Sequence, residues 1–163
     1  MKNKLRKIIF ILLTIVLLGT LIACEKKDGK KVGSDKHGYI TIPSTWVEFK
    51  DVNPAPNMLQ YTNGNRGIIT LVYFEGLDPQ EGLGNLWAYH EGEGAQDIVG
   101  ATVELKGEQS YQIHGYYQAE DIYIVIWMFE RTDGYTQYIC AEGPLNDISD
   151  VVKVVENTFE YKK

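Results

Sequence analysis

Residues 122–129 read Ile-Tyr-Ile-Val-Ile-Trp-Met-Phe, and this stretch decides the fold of the 163-residue chain. It is the most apolar run after the N-terminal segment, and Asp121 and Glu130 bound it. These eight residues are too few for an ordinary buried helix, but they are rich in β-branched and aromatic side chains. We therefore predict a central strand that is covered on both faces.

The segments around this strand predict further strands of the same sheet. Thr132-Asp133-Gly134 is a turn sequence that leads into a strand over 135–141. A second pair of strands is predicted on either side of Gly107, over 102–107 and 109–117. Alternation or β-branched residues predict three more strands upstream, over 39–42, 58–62 and 68–74. Because short turns join consecutive strands, we expect a mostly antiparallel sheet.

A helix is predicted to begin at Asp78-Pro79-Gln80-Glu81. Asp78 can cap the helix, proline suits its first position, and Glu81 has the spacing of a capping box. The apolar or aromatic side chains that follow share one face, namely Leu83, Leu86, Trp87 and His90. Gly82, Gly84 and Gly92 each cost about 1 kcal/mol against alanine in a helix, so we expect a weak helix that ends near Glu91.

The last element is predicted to be a strongly amphipathic helix. Its apolar stripe consists of Leu145, Ile148, Val151, Val152, Val155 and Phe159. One helix in the middle of the chain and one at the end place a helix layer on each face of the sheet. The predicted fold class is therefore α+β, with an α/β/α sandwich around a mostly antiparallel sheet.

The segment Tyr39-Ile40-Thr41-Ile42-Pro43-Ser44-Thr45-Trp46 resembles the opening strand and Pro-x-x-Trp corner of PsbP-like domains. The midchain helix, the strand that ends in Trp127-Met128-Phe129 and the closing Val154-Val155-Glu156-Asn157-Thr158-Phe159 also fit this family. The resemblance covers about residues 38–161 and implies the same sandwich fold. Family members include extrinsic photosystem subunits, a Ran-binding import factor and bacterial lipoproteins of unknown role, so the resemblance leaves the function open.

The N-terminal segment predicts an extracytoplasmic location for the domain. Residues 1–7 are basic, and residues 8–22 form an apolar stretch of 15 residues. The segment closes with Leu21-Ile22-Ala23-Cys24. This ending resembles the lipobox of bacterial lipoproteins, which implies cleavage before Cys24 and a lipid on its thiol. The alternative is an uncleaved N-terminal membrane helix. Either outcome places the domain at the cell membrane, on its extracytoplasmic face.

The boundary of the folded domain is predicted from composition. Residues 25–36 contain one apolar residue and two glycines, which indicates a flexible tether. We therefore predict a signal peptide over 1–23, a lipidated cysteine and tether over 24–37, and a single PsbP-like domain over 38–163.

The charge of the domain narrows the choice of partners. Residues 37–163 contain seven basic and 19 acidic residues, a net charge of −12, which disfavours nucleic acid. The acidity indicates a protein partner with a basic surface, bound cations, or simply a soluble surface. The candidate contacts are Glu91, Glu93 and Asp97, with Glu120 and Asp121 as a second group.

Signatures of catalysis or of a cofactor are missing from the sequence. His37, His90 and His114 lack metal-ligand spacing, although His90 and His114 could converge in space. Cys140 has no neighbouring histidine and reads as a packed thiol. We predict no cofactor, no metal and no enzymatic activity.

Three function classes remain in a definite order. The first is a non-catalytic binding or accessory module for a protein partner, held at the membrane through the lipid on Cys24. The second is a small-molecule or peptide sensor, with a pocket of at least about 300 Å³ between sheet and helix that is lined by Tyr and Trp. The third is an enzyme with a convergent His/acid or Cys/His site.

Overall fold

The computed structural model describes residues 29–50 and 55–162. The elements in this part of the chain are β1 Gly29–Ser34, β2 Gly38–Pro43, β3 Val47–Glu48, β4 Met58–Thr62, β5 Ile68–Glu75, α1 Pro79–Gly92, β6 Gln96–Leu105, β7 Glu108–Tyr117, β8 Ile122–Glu130, β9 Tyr135–Gly143 and α2 Ile148–Thr158. The predicted signal peptide, Cys24 and the first residues of the predicted tether lie outside the described residues.

Seven strands form the main sheet in the order β3-β4-β5-β9-β8-β7-β6. Every neighbouring pair is antiparallel. Strand β8, the apolar stretch, lies in the interior between β9 and β7, where Ile126 pairs with Cys140 on one side and Ile113 on the other. The interior position of the stretch is therefore confirmed, while β9 occupies the middle of the seven.

One face of the sheet carries the main core and is covered by α2. Alternate residues of β8, Val125, Trp127 and Phe129, point to this face, and Val151 and Val155 of α2 pack on it. Phe159 follows directly after α2 and is also buried. Leu145, which the sequence places on the apolar stripe of α2, instead precedes the helix and is 60% exposed.

Strand β1 corrects the predicted tether. Residues 29–34 pair with β2 in an antiparallel hairpin, so the ordered domain begins by Gly29 and not at residue 38. Backbone pairing requires no apolar pattern, which is why composition misses this strand. Val32 adds its side chain to the main core, and Gly33 has the positive φ of 120° that few other residues adopt.

Arg131 fixes the turn of this hairpin to the sheet. Its guanidinium is buried and donates to the carbonyl oxygens of Lys36, at 2.6 Å, and of Asp35, at 2.8 Å. It also forms an ion pair of 2.5 Å with Asp133 in the β8–β9 turn. The hairpin and α2 together close the same face of the sheet, which we call the α2 face.

The opposite face, the α1 face, has a smaller cluster. Leu83, Leu86 and Trp87 of α1 pack against a group on β7, β8 and β9 that consists of Ile113, Ile124, Ile126 and Cys140. The predicted helix start is confirmed, since Asp78 Oδ1 accepts a hydrogen bond of 2.8 Å from the Glu81 backbone. Helix α1 packs on β6, β7 and β8. A helix on each face confirms the predicted sandwich.

Neither helix of the described ranges has the length and apolar character that crossing a membrane requires.

Candidate functional site

A groove lies between α1 and the strands that α1 leaves uncovered, β4, β5 and β9. Its volume is about 490 Å³. Alternation along the strands directs Thr70 and Val72 of β5 and Tyr138 and Cys140 of β9 into its floor. The wall is formed by α1 side chains that include Leu86, Tyr89 and His90. The volume of the groove is above the minimum of about 300 Å³ that a ligand pocket between sheet and helix requires.

The polar groups of the groove floor are held in their protonated, neutral forms. Burial raises the pKa of the Cys140 thiol well above its ordinary value, and burial also raises that of the Tyr138 hydroxyl, with Cys140 beside it as a second cause. Gln60 donates to Thr70 Oγ1 at 3.1 Å. A thiol held neutral is a poor nucleophile, so the floor is suited to binding.

His90 contacts the groove from the last turn of α1. Its Nδ1 lies 2.6 Å from the Tyr117 hydroxyl oxygen, while its Nε2 is buried and has no hydrogen-bond partner within the described part of the chain. Burial lowers the pKa of His90, so the ring is neutral at neutral pH.

Three carboxylates lie around one end of the groove, in a depression of about 310 Å³ that is also lined by Tyr89, Tyr117 and Ile122. We call Glu93, Glu120 and Glu142 the acidic mouth. Glu93 caps the end of α1, Glu120 lies in the β7–β8 turn, and Glu142 is near the end of β9. Burial raises the pKa of Glu142.

The acidic mouth takes one residue from each group of acidic candidates. Glu93 and Glu120 come together, whereas Glu91 is exposed on α1 outside the depression. Asp97 lines a separate depression on the α2 face, and Asp121 accepts a hydrogen bond of 3.3 Å from Tyr116. None of these positions establishes a contact with a partner, so their role stays a prediction.

Glu142 is the residue of the mouth that sequence reasoning missed. It shares a strand face with Tyr138 and Cys140, and this alternation is visible in the sequence. What the sequence does not show is that α1 stops short of this part of β9, so that a carboxylate can lie at the edge of a groove.

Two possibilities that the sequence left open, a convergence of His90 with His114 and a pocket lined by Tyr and Trp, can be compared with the structure. His90 lies on the α1 face, but His114 pairs with Val125 on the α2 face, so the two histidines do not converge. The groove is lined by tyrosines, as expected for the second function class, but Trp87 lies away from it. The Trp87 ring instead approaches Gly100 of β6, where a Cβ would lie 2.9 Å from it.

Within residues 29–50 and 55–162, no group of three or more His, Cys, Asp or Glu side chains could hold a metal ion.

No family model matches the chain, and no curated protein matches it. Solved structures do match. A protein of Bacteroides thetaiotaomicron VPI-5482 superposes with a TM-score of 0.59 at 18% identity, over 83% of this chain and 49% of that one. The Saccharomyces cerevisiae Ran-binding protein Mog1p gives a TM-score of 0.54 at 13% identity, over 82% and 95%. LpqN, involved in cell envelope biogenesis of Mycobacterium tuberculosis, gives 0.48 at 15% identity, over 81% and 89%.

The chain spans about half the length of the Bacteroides protein. At these identities the similarity concerns the fold alone. The Bacteroides protein and Mog1p share the α+β fold of this chain, in agreement with the resemblance to PsbP-like domains.

Proposed function

We propose that the chain is a non-catalytic binding module that is held on the extracytoplasmic face of the cell membrane by a lipid on Cys24 and binds a protein partner through a basic surface of that partner. The observation that carries this proposal is the acidic mouth. Three elements that are distant in sequence each contribute a carboxylate to it, next to the exposed ring of Tyr89. Mog1p, which shares the fold, is a Ran-binding protein, and this supports a protein partner.

The electrostatic sign of the mouth supports a basic partner. Neither the mouth nor the groove is lined by a lysine or arginine of the described residues. The guanidinium of Arg66 donates to the backbone carbonyl of Glu120, so one positive charge lies beside the mouth without lining it. A surface of one sign attracts a partner of opposite sign and accelerates association.

The partner can be identified by cross-linking, and its binding can then be tested with charge variants. A photo-reactive amino acid in place of Tyr89 should cross-link the partner in intact membranes. The variant Glu93→Lys/Glu120→Lys should slow association with that partner, and added salt should slow the wild type more than the variant. Glu104→Lys/Glu130→Lys carries the same charge change at exposed positions outside the mouth and serves as the control. Equal loss in both variants would contradict a binding role of the mouth.

The anchor is tested separately. Cys24→Ala should abolish labelling by a radioactive fatty acid and block cleavage before residue 24. A variant that is cleaved and labelled as before would overturn the lipoprotein assignment, because no other lipobox cysteine is present in the sequence.

A second candidate function is a small-molecule sensor, and the groove favours it. Its volume of about 490 Å³ lies in the range of ordinary ligand sites. Its floor and wall combine apolar side chains with the polar groups of Thr70, Tyr138 and His90, as ligand sites do.

A further inference from the structure

The groove and the acidic mouth adjoin each other. Tyr89, Tyr117 and Glu142 line both. A ligand that extends along these shared residues would contact the groove lining and the carboxylates at once.

The groove accepts an apolar body. Most of its lining away from the mouth is aliphatic, aromatic or thioether, including Met58, Val72, Phe74, Leu86, Ile124 and Met128. Transfer of apolar surface from water into such a lining is favourable by roughly 25 cal/mol for each Å². A strongly polar ligand would gain little there.

The mouth selects a positive charge. Glu93, Glu120 and Glu142 surround it, and Tyr89 and Tyr117 line the same depression. An ammonium or guanidinium group is attracted both by carboxylates and by aromatic faces. A carboxylate or phosphate in this position would be repelled.

Glu142 strengthens this preference. Its carboxylate is partly removed from water, so its negative charge is incompletely solvated in the free protein. A cation at the mouth would replace the lost water contacts and favour the ionised form.

We propose that the groove and its acidic mouth form one site for an amphiphilic organic cation, with its apolar body in the groove and an ammonium or guanidinium group among Glu93, Glu120 and Glu142. This inference rests on the second candidate function, ligand binding in the groove. It goes further by assigning the chemical class of the ligand.

Three probes with one skeleton test the assignment, namely 4-phenylbutylamine, 4-phenylbutanol and 4-phenylbutanoate. Binding is measured by calorimetry to the full chain in phosphatidylcholine nanodiscs, with empty nanodiscs as the blank. We expect the amine to bind about tenfold more tightly than the alcohol, as a charge-assisted contact implies, and the carboxylate to bind most weakly.

Two sets of variants separate the groove from the mouth. Glu93→Gln/Glu120→Gln should bring the affinity for the amine close to that for the alcohol and leave the alcohol unchanged. Glu91→Gln/Asp121→Asn is the control and should change neither. Met58→Trp, at the half-buried rim on β4, should weaken the amine and the alcohol alike, and thermal unfolding checks that each variant is folded.

The outcomes distinguish the inference from the function on which it rests. Equal affinity for amine and alcohol, lost in Met58→Trp, would overturn the preference for a cation and leave the groove as a ligand site. An amine preference that survives Glu93→Gln/Glu120→Gln would also overturn the inference. Absence of binding by all three probes would overturn both.

Discussion

The two faces of the sheet carry neighbouring residues of the same strands, yet the centre of one face is closed, with depressions beside α2, whereas the other face contains a groove over β4, β5 and β9. On the α2 face, Trp127, Phe129 and Ile139 are at most 1% exposed under a helix and a hairpin. On the α1 face, a single helix covers β6 to β8 and leaves β4, β5 and β9 to line the groove. The comparison teaches that strand pattern determines which residues point to a face, whereas the covering elements determine whether that face is filled.

The two helices explain the difference. Helix α2 buries Val151 and Val155 and is flanked by the β1–β2 hairpin. Helix α1 contains Gly82 where it approaches the sheet, and a Cβ at this position would lie 2.6 Å from Met128 Sδ. The glycine permits close contact at one point, but it supplies no side chain to fill the neighbouring space.

The largest expected effect is on the closed face. Phe159→Ala should lower the free energy of unfolding by about 3–5 kcal/mol, because the ring is 1% exposed and packs edge-on against Phe129 at 5.8 Å. Urea denaturation measures this loss. Tyr89→Ala on the open face is the control and should cost less than about 1 kcal/mol, since Tyr89 is 58% exposed. Similar losses would contradict the comparison.

Two isoleucines, one on each face of the sheet, give a closer test of the difference between the faces. Ile139→Ala on the α2 face should cost near the upper end of about 2–5 kcal/mol, and Ile124→Ala, beside the groove, near the lower end. The chemistry is the same, but space left at Ile124 joins an existing cavity, while space left at Ile139 is enclosed. The comparison fails if denaturation gives Ile124→Ala the larger loss.

Helix α1 should be easy to stabilise at one glycine and not at another. Gly84→Ala should add about 0.5–1 kcal/mol, because a Cβ there meets nothing within 4 Å. Gly82→Ala should gain nothing or lose stability, since its Cβ would press on Met128 and Leu77. Thermal unfolding of both variants measures the difference. An equal gain would mean that α1 does not sit as close to the sheet as described.

The smallest effect concerns Glu142 and depends on pH. Burial raises its pKa in the folded state, so ionisation at neutral pH opposes folding. Glu142→Gln should therefore raise the melting temperature at pH 7, and the gain should disappear near pH 4, where the carboxyl is protonated in both folded and unfolded chains. Glu104→Gln, exposed on β6, is the control and should change little. A gain that persists at pH 4 would exclude this cause.

Much of the fold could be predicted from the sequence because its rules are local. Alternation and β-branched runs predicted β2, β4, β5, β7, β8 and β9 but only the last residues of β6, and Asp78 with Glu81 predicted the start of α1. Strand β1 was not predicted, because Lys30 and Lys31 give no apolar pattern and the hairpin depends on backbone pairing. Of the three residues of the acidic mouth, Glu93 and Glu120 were already candidates from the sequence. Its convergence with Glu142 depends on where α1 lies over the sheet, which no local pattern encodes.

The start of strand β1 at Gly29 also limits the length of the linker between Cys24 and the folded domain. With the proposed lipid on Cys24, an extended chain of five residues reaches at most about 18 Å from the membrane to the first strand. A tether that continued to residue 37 would reach about 47 Å by the same rule. The volume that the domain can search scales with the cube of this reach and is therefore smaller by about an order of magnitude. The short linker keeps the first strand, and with it the domain, next to the membrane surface.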